Sequence, residues 1–194
     1  LNRSTDYAAD WKAISPDLTG GPGRDTQYPF GTITTVAAAK TNPKVLYVGT
    51  DDGRLWSTHD LGKTWVRALD PDLPKTWVTR VAVDPKKADV AYVTYSGFRA
   101  GNDQPYILRT KDGGKKWKNI TGDLPQAPVN CVVIVKGRLY VATDVGVFSS
   151  KAGGSWARVG RGLPEAPIDD LQYQTRTHAL FAATFGRGMY SIRV

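Results

Sequence analysis

A short pattern that ends in tryptophan occurs four times along the chain, and it constrains the fold more than any other feature. Its full form is Ser/Thr-x-Asp-x-Gly-x-Thr-Trp, and its four tryptophans are Trp11, Trp65, Trp117 and Trp156. Each copy is followed by a Leu-Pro or Leu-Thr pair and then by a short apolar run that contains an aromatic residue. Because three independent landmarks recur in one order, we predict a chain built from a repeated structural unit.

Each residue type in this pattern has a local role in a tight turn. The aspartate follows a hydroxyl residue by two positions and accepts backbone N–H groups, and the glycine permits a positive φ angle. The tryptophan then begins the next strand and buries a large ring between units. Only the second copy is intact, since Ala8, Lys116 and Lys151 replace pattern residues in the others. The residues predicted to form these turns are Ser4, Asp6 and Trp11; Thr58, Asp60, Gly62, Thr64 and Trp65; Thr110, Asp112, Gly114 and Trp117; and Ser149, Gly153 and Trp156.

Composition and apolar–polar alternation both predict an all-β chain. Glu165 is the only glutamate among 18 acidic residues, and the chain has 20 Gly and 12 Pro, which favours turns over helices. Four short antiparallel strands in about 40 to 50 residues are typical of a β-propeller blade. The predicted first strands are 32–38, 79–83, 130–135 and 170–174; the second strands are 45–50, 90–94, 138–143 and 179–184; and the third strands are 54–58, 106–110, 146–150 and 188–194. The tryptophans begin the fourth strands.

We therefore predict that all 194 residues form one propeller segment of about four blades or part-blades. The predicted divisions are a blade end at 1–20, blades at 31–74, 78–125 and 129–164, and a final partial blade at 168–194. Two arrangements fit this division. Either residues 11–15 close a four-bladed ring as the outer strand of the final blade, or the segment belongs to a larger ring of about six to eight blades. The second is favoured, with the rest of the propeller in the same parent chain or a companion chain.

The repeated turn resembles the Asp-box, also called the bacterial neuraminidase repeat, which occurs in sialidases, sortilin-type receptors, xyloglucanases and photosystem assembly factors. The segment 11–19, the repeated Leu-Pro pairs and the sequence at 183–190 are most similar to the C-terminal part of secreted bacterial sortilin-like proteins. Those proteins are often labelled as glycosyl hydrolases. The resemblance implies a propeller fold and a secreted, periplasmic or cell-surface location. It implies little about activity, since an Asp-box is a turn on the outer edge of a blade.

The sequence offers no catalytic residue for either of two kinds of glycosidase chemistry. A sialidase needs a tyrosine nucleophile with an acidic partner. That partner could only be Glu165, which lies in a loop after a blade edge. A xyloglucanase-type site needs two carboxylates across a cleft. The aspartates at predicted strand ends are interpreted instead as turn residues, and they are Asp51, Asp52, Asp144, Asp169 and Asp170.

Metal, cofactor and nucleic-acid sites are not predicted. His59 and His178 are far apart in sequence, and no glycine-rich stretch has the strand–loop–helix context of a phosphate site. Cys131 lies in an apolar run and is predicted to be a buried, unreactive thiol. The net charge of +8 favours acidic partners through long-range steering. Its lysine clusters are interpreted as a solvated outer edge, and no apolar run is long enough to span a membrane.

The longest predicted break inside a blade, at 95–105, is the best candidate for a ligand-binding loop. Another long irregular piece covers 24–30. The residues predicted to form a ligand face are Trp77, Arg80, Tyr95, Phe98, Arg99 and Arg187. The leading functional hypothesis is a non-catalytic scaffold that binds a protein or an extracellular polymer such as a polysaccharide. The alternative is a glycoside hydrolase, sialidase- or xyloglucanase-like, whose cleft is completed by blades outside this chain.

Overall fold

The computed structural model describes residues 1–20 and 31–194, and its regular elements are strands apart from one turn of 3₁₀ helix at Phe98–Ala100. The predicted irregular piece at 24–30 lies outside the described residues. A small N-terminal hairpin is formed by β1 (Asn2–Arg3) and β2 (Lys12–Ala13). The remaining strands form four antiparallel sheets, which we call blades A to D.

The blades are consecutive along the chain, and each is a simple meander. Blade A contains β3 (Ile33–Ala38), β4 (Leu46–Thr50), β5 (Leu55–Thr58) and β6 (Val66–Arg67). Blade B contains β7 (Trp77–Asp84), β8 (Lys87–Gly97), β9 (Asn102–Thr110) and β10 (Lys118–Asn119). Blade C contains β11 (Val129–Val135), β12 (Arg138–Thr143), β13 (Gly146–Ser150) and β14 (Ala157–Arg158). Blade D contains β15 (Ile168–Gln174), β16 (Ala179–Thr184) and β17 (Gly188–Arg193).

The first strand of each blade packs against the first strand of the next, so that β3, β7, β11 and β15 form an inner series. The apolar core lies between adjacent blades, and Tyr47, Tyr95 and Ile168 are among its fully buried side chains. Cys131 is also buried there. Sheets that pack face to face around their first strands are the arrangement of a propeller. The predicted all-β architecture of four-stranded antiparallel sheets is confirmed.

Strands β8 and β9 are longer than predicted. They continue to Gly97 and from Asn102, so most of the stretch 95–105 is paired strand and only Phe98–Gly101 forms a loop. Gln104 and Pro105 are near the start of β9, where the fourth strand does not reach them. The predicted break is therefore an extended hairpin, and its tip projects beyond the part of blade B that has four strands.

A β-bulge interrupts the first strand of every blade at the same position, and its extra residues are Thr34, Thr79, Asn130 and Asp169. The first three donate a side-chain hydrogen bond to a backbone carbonyl of the next blade. Thr34 Oγ1 donates to Val78 O at 2.6 Å, Thr79 Oγ1 to Val129 O at 2.7 Å, and Asn130 Nδ2 to Ile168 O at 3.2 Å. The bulge thus directs a polar side chain toward the next blade, and the resulting hydrogen bond links the two blades.

The repeated turns have the hydrogen bonds that their residue types predict. In the second copy Thr58 Oγ1 accepts the N–H of Gly62 at 2.9 Å, and Asp60 Oδ1 accepts the N–H of Thr64 at 2.9 Å. The first and third copies repeat both bonds. Gly62 has a φ of +90° and packs on Ile14 too closely for a Cβ atom.

The fourth copy is held differently. Ser150, and not Ser149, accepts the N–H of Gly153, at 2.9 Å. Lys151 stands where the other copies have aspartate, so this turn has no local carboxylate. Asp123, in the segment after β10, accepts the N–H of Trp156 itself at 2.7 Å, whereas the aspartates of the other copies accept the N–H of the residue before the tryptophan.

Candidate ligand-binding cleft

A cleft of about 490 Å³ opens over blade C at the end of the molecule where the first strands begin. The turns that join second to third strands project at this same end, because a first strand starts beside the end of the second strand. Blades B and D contribute the walls and blade C contributes the floor. The cleft is lined by Trp77, Thr79, Ser96, Phe98, Arg99, Asn130, Asp144, Pro167, Asp169 and Phe185.

Two phenylalanines in the cleft walls are unusually open to solvent. Phe98 is at the tip of the β8–β9 hairpin and is 65% exposed, while Phe185 is in the β16–β17 turn and is 71% exposed. Beside Phe98, the guanidinium of Arg99 lies 4.1 Å from the ring centroid of Trp77. This stacking holds Arg99 at the cleft wall and covers one face of the indole. The walls therefore present both aromatic surface and a fixed cation.

Asn130 organises the floor of the cleft. Its Nδ2 donates to Asp144 Oδ1 at 2.7 Å and to the carbonyl of Ile168 at 3.2 Å. The amide therefore fixes the Asp144 carboxylate in the β12–β13 turn and at the same time ties blade C to blade D. The amide occupies only one of the acceptor positions of this carboxylate, so its remaining lone pairs can accept hydrogen bonds from a ligand.

Asp169, at the bulge of β15, is the second carboxylate of the cleft. Burial, followed by the negative charges of Asp144 and Asp170, raises the pKa of Asp169. Asp170 differs, because Arg80 Nη2 donates to its Oδ1 at 2.6 Å and the Cys131 thiol donates to the same oxygen at 3.4 Å. The two adjacent aspartates therefore differ in role: Asp170 forms an ion pair with Arg80, whereas Asp169 lines the cleft.

The structure brings three of the six predicted ligand-face residues together, namely Trp77, Phe98 and Arg99. Tyr95 is fully buried between blades A and B and cannot reach a ligand. Arg80 is used in the ion pair with Asp170. Arg187 is exposed beside Phe185 but does not line the cleft.

Sequence reasoning did not assign Asn130, Asp144, Asp169 and Phe185 to the site. The signal for all four was positional: they occupy the bulge or the second-to-third turn of their units, which the repeat brings to one end. Asp51 shows why such positions are ambiguous. It occupies the turn of blade A that corresponds to that of Asp144, yet it is buried and accepts the N–H of Thr32 at 3.0 Å.

Within residues 1–20 and 31–194, no cluster of three or more His, Cys, Asp or Glu side chains has the grouping of a metal site. The search of the same residues for a helix that is long and apolar enough to cross a membrane also finds none.

No family model and no curated protein matches the sequence. Solved structures do match. The GH74 enzyme of Niastella koreensis matches 100% of this chain with a TM-score of 0.73 at 13% identity. YCF48 bound to a D1 peptide matches 84% of it with a TM-score of 0.62 at 18% identity. The β-propeller domain of Cps50 (Swd1) from Myceliophthora thermophila matches 84% of it with a TM-score of 0.63 at 12% identity.

The chain spans 32% of the GH74 enzyme, 51% of YCF48 and 52% of the Cps50 domain. At such low identities the likeness concerns the fold alone. It confirms that the chain has a β-propeller fold.

Proposed function

We propose that this chain is a non-catalytic part of a propeller that binds an extended polymer, a protein segment or a polysaccharide, in the cleft over blade C. The observation that carries the proposal is the pair of exposed phenylalanines, Phe98 and Phe185, in the walls of one cleft. Exposed aromatic rings beside a few fixed polar groups are typical of binding sites for flexible ligands. Asp144 and the Oδ1 of Asn130 would accept hydrogen bonds at the floor, and Arg99 would donate them from the wall.

We further propose that the repeated turns are Asp-boxes and that the chain is related to bacterial sortilin-like proteins. The hydrogen bonds of the Thr58 and Thr110 turns support this assignment. A location outside the cytoplasm, whether secreted, periplasmic or at the cell surface, belongs to the same proposal.

The alternative is a glycoside hydrolase whose cleft is completed by blades outside this chain. Two observations favour it as a second candidate. Three of the structural neighbours are GH74 enzymes, and one is a xyloglucanase from Xanthomonas campestris. Asp144 and Asp169 also share one cleft, and the raised pKa of Asp169 would suit a general acid.

A binding assay with variants of the two phenylalanines tests the leading proposal. Xyloglucan oligosaccharides and an immobilised peptide library are titrated with the wild-type chain and with Phe98→Ala and Phe185→Ala. A ligand of the cleft should bind each variant several-fold and up to about tenfold more weakly, because one aromatic contact contributes about 0.5 to 1.5 kcal/mol. Tyr7→Ala is the matched control, since Tyr7 is fully exposed in the N-terminal hairpin.

An activity assay discriminates the alternative, and it uses a parent protein that includes the missing blades, because the hydrolase cleft would need them. Release of reducing sugar by that parent, lost in both Asp144→Asn and Asp169→Asn, would replace the binding proposal with the hydrolase. Unchanged affinity in both phenylalanine variants for every ligand found would contradict the cleft as the site.

A further inference from the structure

The turn between the third and fourth strands of blade B is far more positively charged than the corresponding turns of blades A and C. It carries Lys111, Lys115 and Lys116, and all three are exposed. The corresponding turns of blades A and C each contain a single lysine, Lys63 and Lys151 respectively. The turn itself does not require this charge, since its hydrogen bonds use hydroxyl, carboxylate and backbone groups.

The strands beside this turn add a pair of like charges. Arg109 of β9 and Lys118 of β10 are directly opposite each other in the antiparallel register. The same position holds Ser57 and Val66 in blade A and an equally uncharged pair in blade C. Like charges directly opposite on neighbouring strands destabilise a sheet. Blade B therefore has an electrostatic cost at this position that the other blades avoid, and a bound anion would relieve it.

These five cations line one groove of about 770 Å³ at the outer edge of blades A and B, which we call the basic groove. Its other lining residues are Leu69, Asp70, Asp112 and Trp117. Leu69, in the segment after β6, is 79% exposed, whereas Trp117 is buried and its Nε1 donates to Gly114 O at 3.1 Å. The basic groove shares no lining residue with the cleft over blade C.

The two aspartates of the basic groove do not neutralise it. Asp112 Oδ1 accepts the N–H of Lys116 at 3.0 Å and the hydroxyl of Thr110 at 2.9 Å, so this carboxylate is used by the turn. Asp70 Oδ1 accepts the N–H of Asp72 at 3.1 Å. Throughout residues 1–20 and 31–194, no carboxylate lies within ion-pair distance of any of the five cations. The groove therefore presents a positive field beside one exposed leucine.

The side chains of the basic groove distinguish among anionic polymers. The bases of single-stranded nucleic acids stack on exposed aromatic rings, and sugar rings bind to such rings with their apolar faces. Trp117, the aromatic residue that lines the groove, is buried and does not offer its ring in this way. An acidic peptide fits better, because its carboxylates can pair with separate cations while an apolar side chain packs on Leu69.

We propose that the basic groove binds an acidic segment of a partner protein. The carboxylates of the segment pair with the lysines of the blade B turn and with Arg109 and Lys118, whose mutual repulsion they relieve, and an apolar side chain packs against Leu69. Charge supplies fast association and a strong dependence on salt, and the contact with Leu69 selects segments that carry an apolar residue among the acids. This site is additional to the cleft over blade C and does not depend on the ligand of that cleft.

A fluorescein-labelled peptide of repeated Glu-Glu-Leu-Glu units provides the probe, and fluorescence anisotropy follows its binding to the full chain. Binding should be saturable at low salt and should weaken several-fold at physiological ionic strength, because salt screens exposed charges. A second peptide, with alanine in place of leucine, should bind more weakly. Leu69→Ala should weaken binding of the leucine peptide and leave binding of the alanine peptide unchanged, which locates the apolar contact.

A matched pair of charge variants separates the groove from the net charge of the chain. Lys111→Ala combined with Lys115→Ala should weaken binding about fivefold, since each exposed ion pair contributes modestly. Lys63→Ala combined with Lys151→Ala removes the same charge from the corresponding turns of blades A and C. This control should bind within about twofold of wild type, because salt screens charges that are distant from the groove.

Lys118→Ala tests the like-charge pair through two measurements that should move differently. The variant should bind the peptide more weakly, while the urea midpoint of the free chain should stay the same or rise, because the repulsion with Arg109 is removed. A substitution that merely damaged the fold would lower both the affinity and the urea midpoint, and that result would contradict the electrostatic cost.

Several results would overturn the proposal. Absence of binding, an affinity that does not respond to salt, or equal losses in the two double variants would remove the groove as the site. Equal binding of the leucine and alanine peptides would remove the role of Leu69. Displacement of the peptide by polygalacturonate or by a single-stranded oligonucleotide, at a lower concentration of negative charge than the peptide requires, would assign the groove to that polymer instead.

Discussion

The polar residue at each β-bulge determines how two blades are joined. Thr34, Thr79 and Asn130 differ in side chain, yet each donates to a carbonyl of the next blade. A buried carbonyl without a donor costs free energy, so these positions require a side-chain N–H or O–H. Asp169 occupies the same position in blade D, where an ionised carboxylate can only accept. A surface that packs against blade D at this position would therefore meet a hydrogen-bond acceptor, whereas the other blades present a donor there.

Replacing Thr79 with valine should destabilise the protein although the shape of the side chain is kept. The variant loses the hydrogen bond to Val129 O and the contact with Thr94 Oγ1, and it leaves the carbonyl of the buried Val129 without that donor. We expect the free energy of unfolding to fall by about 1 to 3 kcal/mol in urea titrations. Thr5→Val, at an exposed turn position, should change it by less than about 0.5 kcal/mol. An equal effect of both variants would contradict the role of Thr79.

Asp60 should contribute stability that disappears in acid. The hydroxyl of Thr64, followed by its backbone N–H, lowers the pKa of Asp60 to about 2, whereas the unfolded chain has its ordinary value of 3.8. The contribution is therefore complete above pH 4 and is lost as the pH falls through 2. Urea unfolding of wild type and Asp60→Asn at pH 5, 3 and 2 should show the two converging in acid. A difference between them that stays constant across this range would refute it.

At the scale of elements, the sequence predicts the turns whose hydrogen bonds are local and repeated, and it misses contacts between different units. The turn of Thr58 and Asp60 was predictable because its bonds are local, within four residues. The fourth turn was assigned to Ser149 because counting back from Trp156 assumes equal spacing. The structure holds it through Ser150 and, from 33 residues away, Asp123. A contact between residues 33 positions apart cannot be recognised from a local sequence pattern.

The candidate cleft was predictable only in part for the same reason. Trp77, Phe98 and Arg99 were suggested by an unusual stretch within one unit, and they do meet. Tyr95 belongs to the same stretch, but strand alternation turns its side chain into the core. Asp144 and Phe185 gain their significance only from blades C and D being neighbours, which is a property of packing and not of local sequence.

Trp65 should hold the N-terminal hairpin onto blade A. Its indole donates to Ile14 O at 2.8 Å, and phenylalanine would keep part of the ring but lose this bond. In Trp65→Phe, backbone amides of residues 12–19 should exchange hydrogen about tenfold faster, a change of about 1.4 kcal/mol in local opening. Trp117→Phe is the control, because Trp117 Nε1 donates within its own turn, to Gly114 O at 3.1 Å. Unaltered exchange at 12–19 in Trp65→Phe would show that the other contacts with blade A hold this segment, among them the hydrogen bonds that Trp56 Nε1 donates to Leu18 O and Arg54 Nη1 to Thr19 O.

On the scale of the whole molecule, blades B and D are connected across blade C. Arg80 and Asp170 are 90 residues apart in sequence, and their ion pair of 2.6 Å passes directly beside Cys131 on β11. Burial, more than the neighbouring charges, raises the pKa of the Cys131 thiol to about 11. Burial and protonation both keep the thiol from reacting with a reagent in solution. Its rate of labelling therefore measures how often β11 separates from the first strands of the neighbouring blades.

Breaking the ion pair should loosen this inner region without unfolding the blades. In Arg80→Leu, Asp170 loses its cation, and labelling of Cys131 by a disulfide reagent at pH 8 without denaturant should accelerate several-fold over wild type. The loss in global stability should be small, at most about 1 kcal/mol, because both side chains are more than a third exposed. Arg67→Leu, on the exposed outer strand of blade A, should label as slowly as wild type. Equal labelling rates in all three proteins would mean that apolar packing around β11 keeps the blades together unaided, and that the contact between blades B and D is incidental.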